Sequence, residues 1–206
     1  MDTTDNYRKH TSTNPVQRFL IDNFFNTLSK ELKKLNVSSI LDAGCGEGFT
    51  LERLRIEKAG DKFEGVDFLK TAIDLGHKIH PNLTLKQASI YELPYKDSSF
   101  DLVLSTEVLE HLGDPKKGLK EIVRVSKKYI LLSVPNEPIF MLSNLLRGKH
   151  VSRFGNDIEH ISHWSFLGFE NFIKKNAGRK VEIISRKYPF PWTMLLIDKE
   201  TPQGRV

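Results

Sequence analysis

Ser39-Ile-Leu-Asp-Ala-Gly-Cys-Gly-Glu-Gly48 joins an apolar strand directly to a glycine-rich turn that opens a helix. Gly44, Gly46 and Gly48 lack a β-carbon, so backbone N–H groups of this turn can approach a bound ligand closely. A second apolar strand, Phe63-Glu-Gly-Val-Asp67, also ends in an acid. A carboxylate in that position can accept hydrogen bonds from both ribose hydroxyls of a nucleoside. The two stretches together predict a nucleoside cofactor.

The spacing of the glycines separates two classes of nucleoside cofactor. A dinucleotide turn, Gly-x-Gly-x-x-Gly, would need its third glycine at position 49, where this chain has Phe49. Phe49 therefore argues against a nicotinamide-dependent oxidoreductase. The pattern Asp42-x-Gly44-x-Gly46-x-Gly48 instead resembles the first motif of the class I S-adenosylmethionine-dependent methyltransferases. Asp67 then falls where that family has its ribose-binding acid.

The resemblance to this family covers about residues 36 to 136. Three further segments are similar to its later strand motifs, in order: Gln87–Pro94, Ser99–His111 and Tyr129–Pro135. The small-molecule methyltransferases of the ubiquinone and menaquinone type are the branch that the chain resembles. The resemblance implies an α/β fold, a Rossmann-like doubly wound sheet of seven strands in the order 3-2-1-4-5-7-6 with strand 7 antiparallel.

Hydrophobic patterns along the chain agree with this architecture. An amphipathic helix is predicted from Pro15 to about residue 35, after a polar arm over residues 1–14. Strands and helices then alternate, as in a parallel sheet. The predicted strands are 38–43, 62–68, 83–88, 100–106, 129–134, 180–188 and 192–198, and the predicted helices between them include 47–58, 70–80 and 166–177.

The resemblance also implies the residues of an S-adenosylmethionine site. Asp42 would orient the glycine turn and the amino-acid end of the cofactor, and Asp67 would bind the ribose. Phe68 and Ile90 would lie against the adenine, with Ser89 beside the adenine amino group. Ordinary core packing is the alternative for Phe68 and Ile90. The other positions expected to contact the cofactor are Gly44, Cys45, Gly46 and Thr106.

Catalytic residues leave weaker signatures, because methyl transfer depends mainly on proximity and in-line aim. His111, His160 and His163 are the candidates for deprotonating an acceptor, since imidazole titrates near neutral pH. A structural role is the alternative for each of them. Glu107 and Trp164 are expected to contact the substrate. The segment Glu159-His-Ile-Ser-His-Trp164 is the predicted substrate wall.

Glu107, Glu110 and His111 have a second interpretation as metal ligands. Their spacing would place three polar side chains on one face of a helix, with His160 or His163 completing the set. Similar Glu-x-x-Glu-His segments bind metal in ubiquinone-type O-methyltransferases and in small-RNA 2′-O-methyltransferases. Metal-free relatives use such residues to line the cofactor pocket or to cap the helix. A divalent metal is therefore one of two alternatives here.

Residues 137–165 form an insertion longer than most connections in compact domains, and we expect a lid over the acceptor. Its first part, residues 139–150, combines an apolar helix with basic residues. Such a segment can contact a membrane surface or roof a lipid-like substrate. A lid helix packed on the domain is the alternative.

Composition sets the remaining bounds. The 206 residues, 39% hydrophobic and 28% charged, fit a single domain without an apolar run of the roughly 18 residues that a membrane span requires. The net charge of +5 comes from scattered lysine pairs, which gives no strong signal for nucleic acid. A single cysteine and a polar start favour the cytoplasm. The sequence leaves the oligomeric state open.

The sequence therefore predicts methyl transfer from S-adenosylmethionine to an oxygen, nitrogen or carbon nucleophile of a small molecule. Two alternatives remain at this point. One is a cofactor-binding partner subunit without catalytic activity, and the other is an RNA 2′-O-methyltransferase with a metal site.

Overall fold

The computed structural model describes residues 4–137, 139–141, 160–178 and 181–199. Its strands in chain order are β1 (Ser39–Ala43), β2 (Lys62–Asp67), β3 (Thr84–Gln87), β4 (Phe100–Thr106), β5 (Ser126–Pro135), β6 (Val181–Lys187) and β7 (Trp192–Lys199). They form one sheet in the order β3-β2-β1-β4-β5-β7-β6. β7 runs antiparallel to both of its neighbours, and the other pairs are parallel. The predicted sheet order and the antiparallel seventh strand are confirmed.

The helices of the described residues are α1 (Asp5–His10), α2 (Pro15–Leu32), α3 (Phe49–Ile56), α4 (Lys70–Ile79), α5 (Pro115–Val125) and α6 (Phe166–Asn176). α2 begins at the predicted proline, because the Asn14 side chain accepts hydrogen bonds from two N–H groups of the first turn and Pro15 needs no partner there. α2 ends at Leu32, a few residues before the predicted end. α1 lies inside the stretch for which the sequence predicted only a polar arm.

Both faces of the sheet are buried, which explains the continuous apolar runs of its central strands. Leu41 and Val103 contribute to a core with residues of α5 and α6. Ile40 and Leu102 directly precede them on the same strands. These two residues contribute to a second core with residues of α2 and α3. Because successive residues point to opposite faces, one short apolar strand supplies both cores.

The sheet order reverses between β1 and β4, and the carboxyl ends of these strands form the crevice where open α/β sheets bind ligands. Asp42 lies on β1, Asp67 ends β2 and Thr106 ends β4. The predicted site residues of three separate strands therefore meet at one edge.

Part of the predicted lid lies outside the described residues. Residues 139–141 are helical, and Glu137 precedes them. Most of the segment 139–150, on which the membrane-contact prediction rests, belongs to the stretch 142–159 that is not described. Among the helices that are described, none has the length and apolar character needed to span a membrane.

Candidate cofactor and active site

A cavity of about 850 Å³ opens at the carboxyl edge of the sheet. Most of the site residues predicted from the sequence line this cavity. They are Asp42, Gly44, Cys45, Gly46, Asp67, Phe68, Ile90, Thr106, Glu107, His111 and His160. The lining does not include Ser89, Glu110, His163 or Trp164.

The glycine turn gives the cavity its shape. Gly44 has a φ of 92°, and a β-carbon added to it would lie 2.3 Å from Cγ2 of Val108. The N–H groups of Gly44 and Cys45 donate to the Val66 carbonyl, and the Gly46 N–H donates to Asp67. The N–H groups of Gly44, Cys45 and Gly46 therefore already have partners within the protein. What the glycines of the turn provide is room for another group to approach the backbone closely.

Asp42 is almost completely buried, with 1% of its surface exposed. Its Oδ1 has no hydrogen-bond partner among the described residues. Burial, and secondarily the charge of Asp67, raises the pKa of Asp42 to about 7. A buried carboxylate oxygen without a partner, in the wall of a cavity, fits a ligand that brings a cation or a hydrogen-bond donor. The ammonium group of S-adenosylmethionine is such a donor.

The carboxylate of Asp67 is held from two sides. Its Oδ2 accepts the Gly46 N–H at 2.8 Å, and its Oδ1 accepts the Leu69 N–H at 2.8 Å. Burial raises the pKa of Asp67, although these backbone donors oppose that shift. Since each carboxylate oxygen has a second lone pair, both oxygens can still accept a hydroxyl. This arrangement suits the two neighbouring hydroxyls of a ribose.

The cavity wall beside Asp67 is apolar and exposed. Phe68 is 72% exposed and Leu69 is 54% exposed, so core packing does not account for Phe68. Ile90, in contrast, is buried and belongs to the core as well as to the cavity wall. The Ser89 hydroxyl accepts a hydrogen bond from the Tyr91 N–H at 3.2 Å, away from the lining. Phe68 and Ile90 provide surfaces against which a flat base can pack.

The imidazoles of His111 and His160 also line the cavity. His160 Nδ1 lies 2.5 Å from Oε1 of Glu137, and both side chains are less than a tenth exposed. The His111 ring stands edge-on to the His160 ring, with 5.0 Å between centroids. The main-chain oxygen of Glu110 accepts the N–H groups of residues 161 and 162, which ties the His160 segment to the end of β4. Glu137 was not predicted, although its position two residues after the end of β5 was an available signal.

The predicted metal ligands do not share one helical face. Glu107 has a φ of 58° and precedes a short 3-10 turn, Leu109–His111. Lys9 Nζ binds both Glu107 oxygens, at 2.6 and 2.7 Å. The described residues instead bring ligand atoms of Glu110, His111 and His160 within 4.8 Å of one another. The helical prediction is wrong here because the backbone turns sharply at Glu107.

Glu110 lies at the centre of this group and is 1% exposed. Neither of its carboxylate oxygens has a hydrogen-bond partner among the described residues. Burial, together with the charge of Glu107, raises its pKa well above the usual range. Such a carboxyl group is stable as the neutral acid or beside a cation.

The other two residues of the predicted substrate wall lie further from the cavity. Trp164 packs against Phe169 and Phe172, with ring centroids 5.4 and 5.0 Å apart. His163 is 40% exposed, and its Nδ1 lies 3.5 Å from Oε2 of Glu137. His160 is therefore the imidazole of this segment that reaches the cavity.

The sequence did not indicate that α1 and β7 also contribute to the lining. Lys9 and His10 of α1 line the cavity, as does Trp192 of β7. Thr4 caps α1 by accepting the Tyr7 N–H, a capping pattern that is visible in the sequence. The location of α1 over the glycine turn depends on tertiary contacts, which the short polar sequence does not reveal.

The α/β fold has the strand order of the class I methyltransferases, and an acid-lined cavity opens at the carboxyl edge of its sheet. The methyltransferase domain family matches residues 41–131. A probable S-adenosylmethionine-dependent methyltransferase of Mycobacterium tuberculosis is 32% identical over 103 residues, which are 49% of this chain and 37% of the relative. The demethylmenaquinone methyltransferase of Lactobacillus johnsonii is 33% identical over 128 residues, 55% of this chain and 52% of the relative.

Solved structures agree on the fold. Magnesium protoporphyrin IX methyltransferase from Synechocystis, determined with bound SAH, is similar with a TM-score of 0.67 at 15% identity, over 92% of this chain and 89% of that one. Residues 41–131 therefore match a methyltransferase domain, and the curated relatives agree with the predicted class I S-adenosylmethionine-dependent family. It spans about a third to a half of the length of the curated relatives described above.

Proposed function

We propose that this protein transfers a methyl group from S-adenosylmethionine to an oxygen, nitrogen or carbon nucleophile of a small molecule. The observation that carries the proposal is the convergence of Asp42, Asp67 and His160 on one cavity. Two acids beside a glycine turn suit the amino-acid end and the ribose of the cofactor. The imidazole lines the same cavity and would face the acceptor.

When bound, S-adenosylmethionine supplies an activated methyl group on a sulfonium that is already a good leaving group. The protein must then position the acceptor and, for a hydroxyl or similar acceptor, take up its proton. Glu137 accepts a hydrogen bond from Nδ1–H of His160, on the tautomer assigned from their 2.5 Å contact. His160 Nε2 is then the basic atom. In this role His160 is the general base and Glu137 orients it.

A small acceptor agrees with the size and charge of the site. The cavity of about 850 Å³ lies within the usual range for small-molecule sites. The demethylmenaquinone methyltransferase relative supports a small acceptor as well. The net charge of +5 is distributed without the basic stripe that a nucleic acid would need.

Release of S-adenosylhomocysteine in the presence of phenols, amines and acidic carbon compounds tests this function. We expect turnover with at least one acceptor class. His160→Gln should lower kcat by about 10²- to 10⁴-fold and remove the acidic limb of its pH profile. His77→Gln, an exposed histidine on α4, is the matched control. Tight cofactor binding without turnover on any acceptor would instead indicate a partner subunit without catalytic activity.

The second candidate is metal-assisted transfer, and the buried, unpartnered carboxylate of Glu110 favours it. A divalent ion could bind Glu110, His111 and His160, whose ligand atoms already lie within 4.8 Å of one another. Glu137 would then hold the second ring nitrogen of His160, as carboxylates commonly do for metal-binding histidines. His160 cannot use Nε2 as a base and as a ligand at once, so the two roles are alternatives.

Calorimetry with Mn²⁺ or Zn²⁺ alone separates these roles. If the metal site exists, Glu110→Gln should weaken binding of the ion at least about tenfold, since a charged ligand is lost. Glu92→Gln, an exposed carboxylate outside the cavity, should leave it unchanged. Full turnover of chelator-treated protein would reject the metal.

Three finer predictions belong to the same proposal. A cytoplasmic location is supported by the single cysteine, Cys45, which is buried. An acceptor lid over residues 137–165 is supported by His160, the part of this segment that lines the cavity together with Phe140. Lipid contact through residues 139–150 rests on their sequence alone.

A further inference from the structure

α1 lies across the glycine turn and is held there by several side chains. Thr4 and Asn6 both donate to the carboxylate of Glu47, and Asn6 Nδ2 lies 2.5 Å from its acceptor. The ring of His10 stacks on Phe49, with 4.6 Å between centroids. These contacts fix the direction in which α1 presents its other side chains to the cavity.

Lys9 is the cationic side chain that α1 contributes to the cavity lining. It is the only lysine or arginine among the described residues that line the cavity. His10 adds no charge near neutral pH, because burial, and secondarily Lys9, lowers its pKa to about 4. The carboxyl side chains of the lining are those of Asp5, Asp42, Glu47, Asp67 and Glu107.

In this structure the Lys9 ammonium binds both oxygens of Glu107. Both side chains are about a quarter exposed, so the ion pair faces the cavity while remaining reachable by a ligand. Burial opposes ionisation of Glu107, but Lys9 outweighs it and holds the pKa of Glu107 below its usual range. The Glu107 N–H donates to the Ser133 carbonyl at 2.9 Å, which fixes the backbone of this residue.

A ligand carboxylate in this cavity has no other lysine or arginine of the described lining as a partner. The N–H groups of Gly44, Cys45, Gly46 and Gly48 all donate within the protein. The carboxylate of an amino acid would therefore be buried among acids unless a cation accompanied it. Lys9 is the cation available for this carboxylate. If Lys9 binds the ligand, Glu107 becomes free to bind a cationic group of the same ligand.

Building on the proposed cofactor, we propose that Lys9 and Glu107 bind its α-amino-acid end, Lys9 taking the carboxylate and Glu107 the ammonium. The protein's own ion pair is thereby exchanged for two ion pairs across the ligand, and the total charge stays balanced. Asp42, with its unpartnered oxygen, provides a second acceptor for the same ammonium. Lys9 lies outside the matched residues 41–131, so this contact belongs to the chain's own N-terminal helix.

Two ligands isolate the contact. S-adenosylhomocysteine has the amino-acid end, whereas 5′-methylthioadenosine has the same nucleoside and sulfur without it. Calorimetry should show that Lys9→Met weakens S-adenosylhomocysteine binding about tenfold or more while 5′-methylthioadenosine affinity changes less than about twofold. Lys9→Arg should retain most of the affinity for both. Lys120→Met, an exposed lysine on α5, is the matched control and should change neither.

The ratio of the two affinities within one variant removes effects of folding. Equal weakening of both ligands in Lys9→Met would overturn the proposal, because it would indicate that α1 only supports the pocket. An unchanged ratio in both Lys9→Met and Glu107→Gln would overturn it as well. If the unsubstituted protein bound neither nucleoside, the proposed cofactor itself would be wrong, a result distinct from failure of the ion-pair exchange alone.

Discussion

Replacing Asp67 by Asn tests the ribose contact with a change of very few atoms. Both carboxylate oxygens accept a backbone N–H at 2.8 Å, one from Gly46 and one from Leu69. An amide offers one oxygen, so one of these N–H groups would face an NH₂ group and lose its partner. The same substitution removes the charge that strengthens hydrogen bonds from the two ribose hydroxyls.

The size of the effect follows from these contacts. Hydrogen bonds to a charged group contribute about 1.5–3 kcal/mol, so losing them should raise the Kd for S-adenosylhomocysteine about 10- to 150-fold. Titration calorimetry measures this change, and thermal unfolding shows whether the variant remains folded. Asp74→Asn, an exposed acid on α4 outside the cavity lining, is the matched control. A Kd for folded Asp67→Asn within about twofold of the unsubstituted protein would refute the ribose assignment.

Two further predictions concern the walls of the same cavity. Because burial raises the pKa of Asp42 from 3.8 to about 7, the native protein holds a proton that the unfolded chain releases, and this lowers the unfolding free energy as the pH rises between those values. Asp42→Asn removes the effect, so its unfolding free energy relative to the unsubstituted protein should rise by up to about 4 kcal/mol between about pH 4 and pH 8; denaturant titrations giving the same difference at both pH values would contradict this. Gly44→Ala should lower the unfolding free energy by about 1–3 kcal/mol, because its β-carbon would lie 2.3 Å from Val108 at a φ of 92°. Gly113→Ala, whose β-carbon would contact nothing within 4 Å, should have little effect in the same melts, and equal losses in both variants would argue against a tight turn.

The sheet could be predicted because each central strand is a short apolar run that ends in a polar residue at a recognisable motif. The run Ile40–Ala43 and the run 102–105 are buried on both faces, as parallel strands between helices must be. The positions of Asp42 and Asp67 followed from the same pattern, since strand ends in a parallel sheet meet at one edge.

The direction in which a side chain points and the geometry of a turn were harder to predict. Trp164 packs against α6, although its sequence neighbourhood suggested a cavity wall, because an aromatic residue in a loop carries no periodicity to show where it points. The spacing of Glu107 and Glu110 suggested one helical face, but the positive φ at Glu107 separates them. Helical spacing is informative only where the backbone is a helix.

The role of α1 was missed for a different reason. Six mostly polar residues give too short a pattern to indicate a buried face, and α1 contributes no fully buried residue. Its place over the glycine turn depends on Glu47 and Phe49, more than 30 residues away in sequence. Such long-range polar contacts are set by the folded backbone.

A crystal structure of the protein with S-adenosylhomocysteine tests the central claim most directly. We predict the nucleoside in the cavity at the carboxyl edge of the sheet, with both ribose hydroxyls within hydrogen-bond distance of the Asp67 carboxylate and the sulfur facing His160. Binding of S-adenosylhomocysteine at another surface, or its failure to bind while NADH occupies this cavity, would contradict the account.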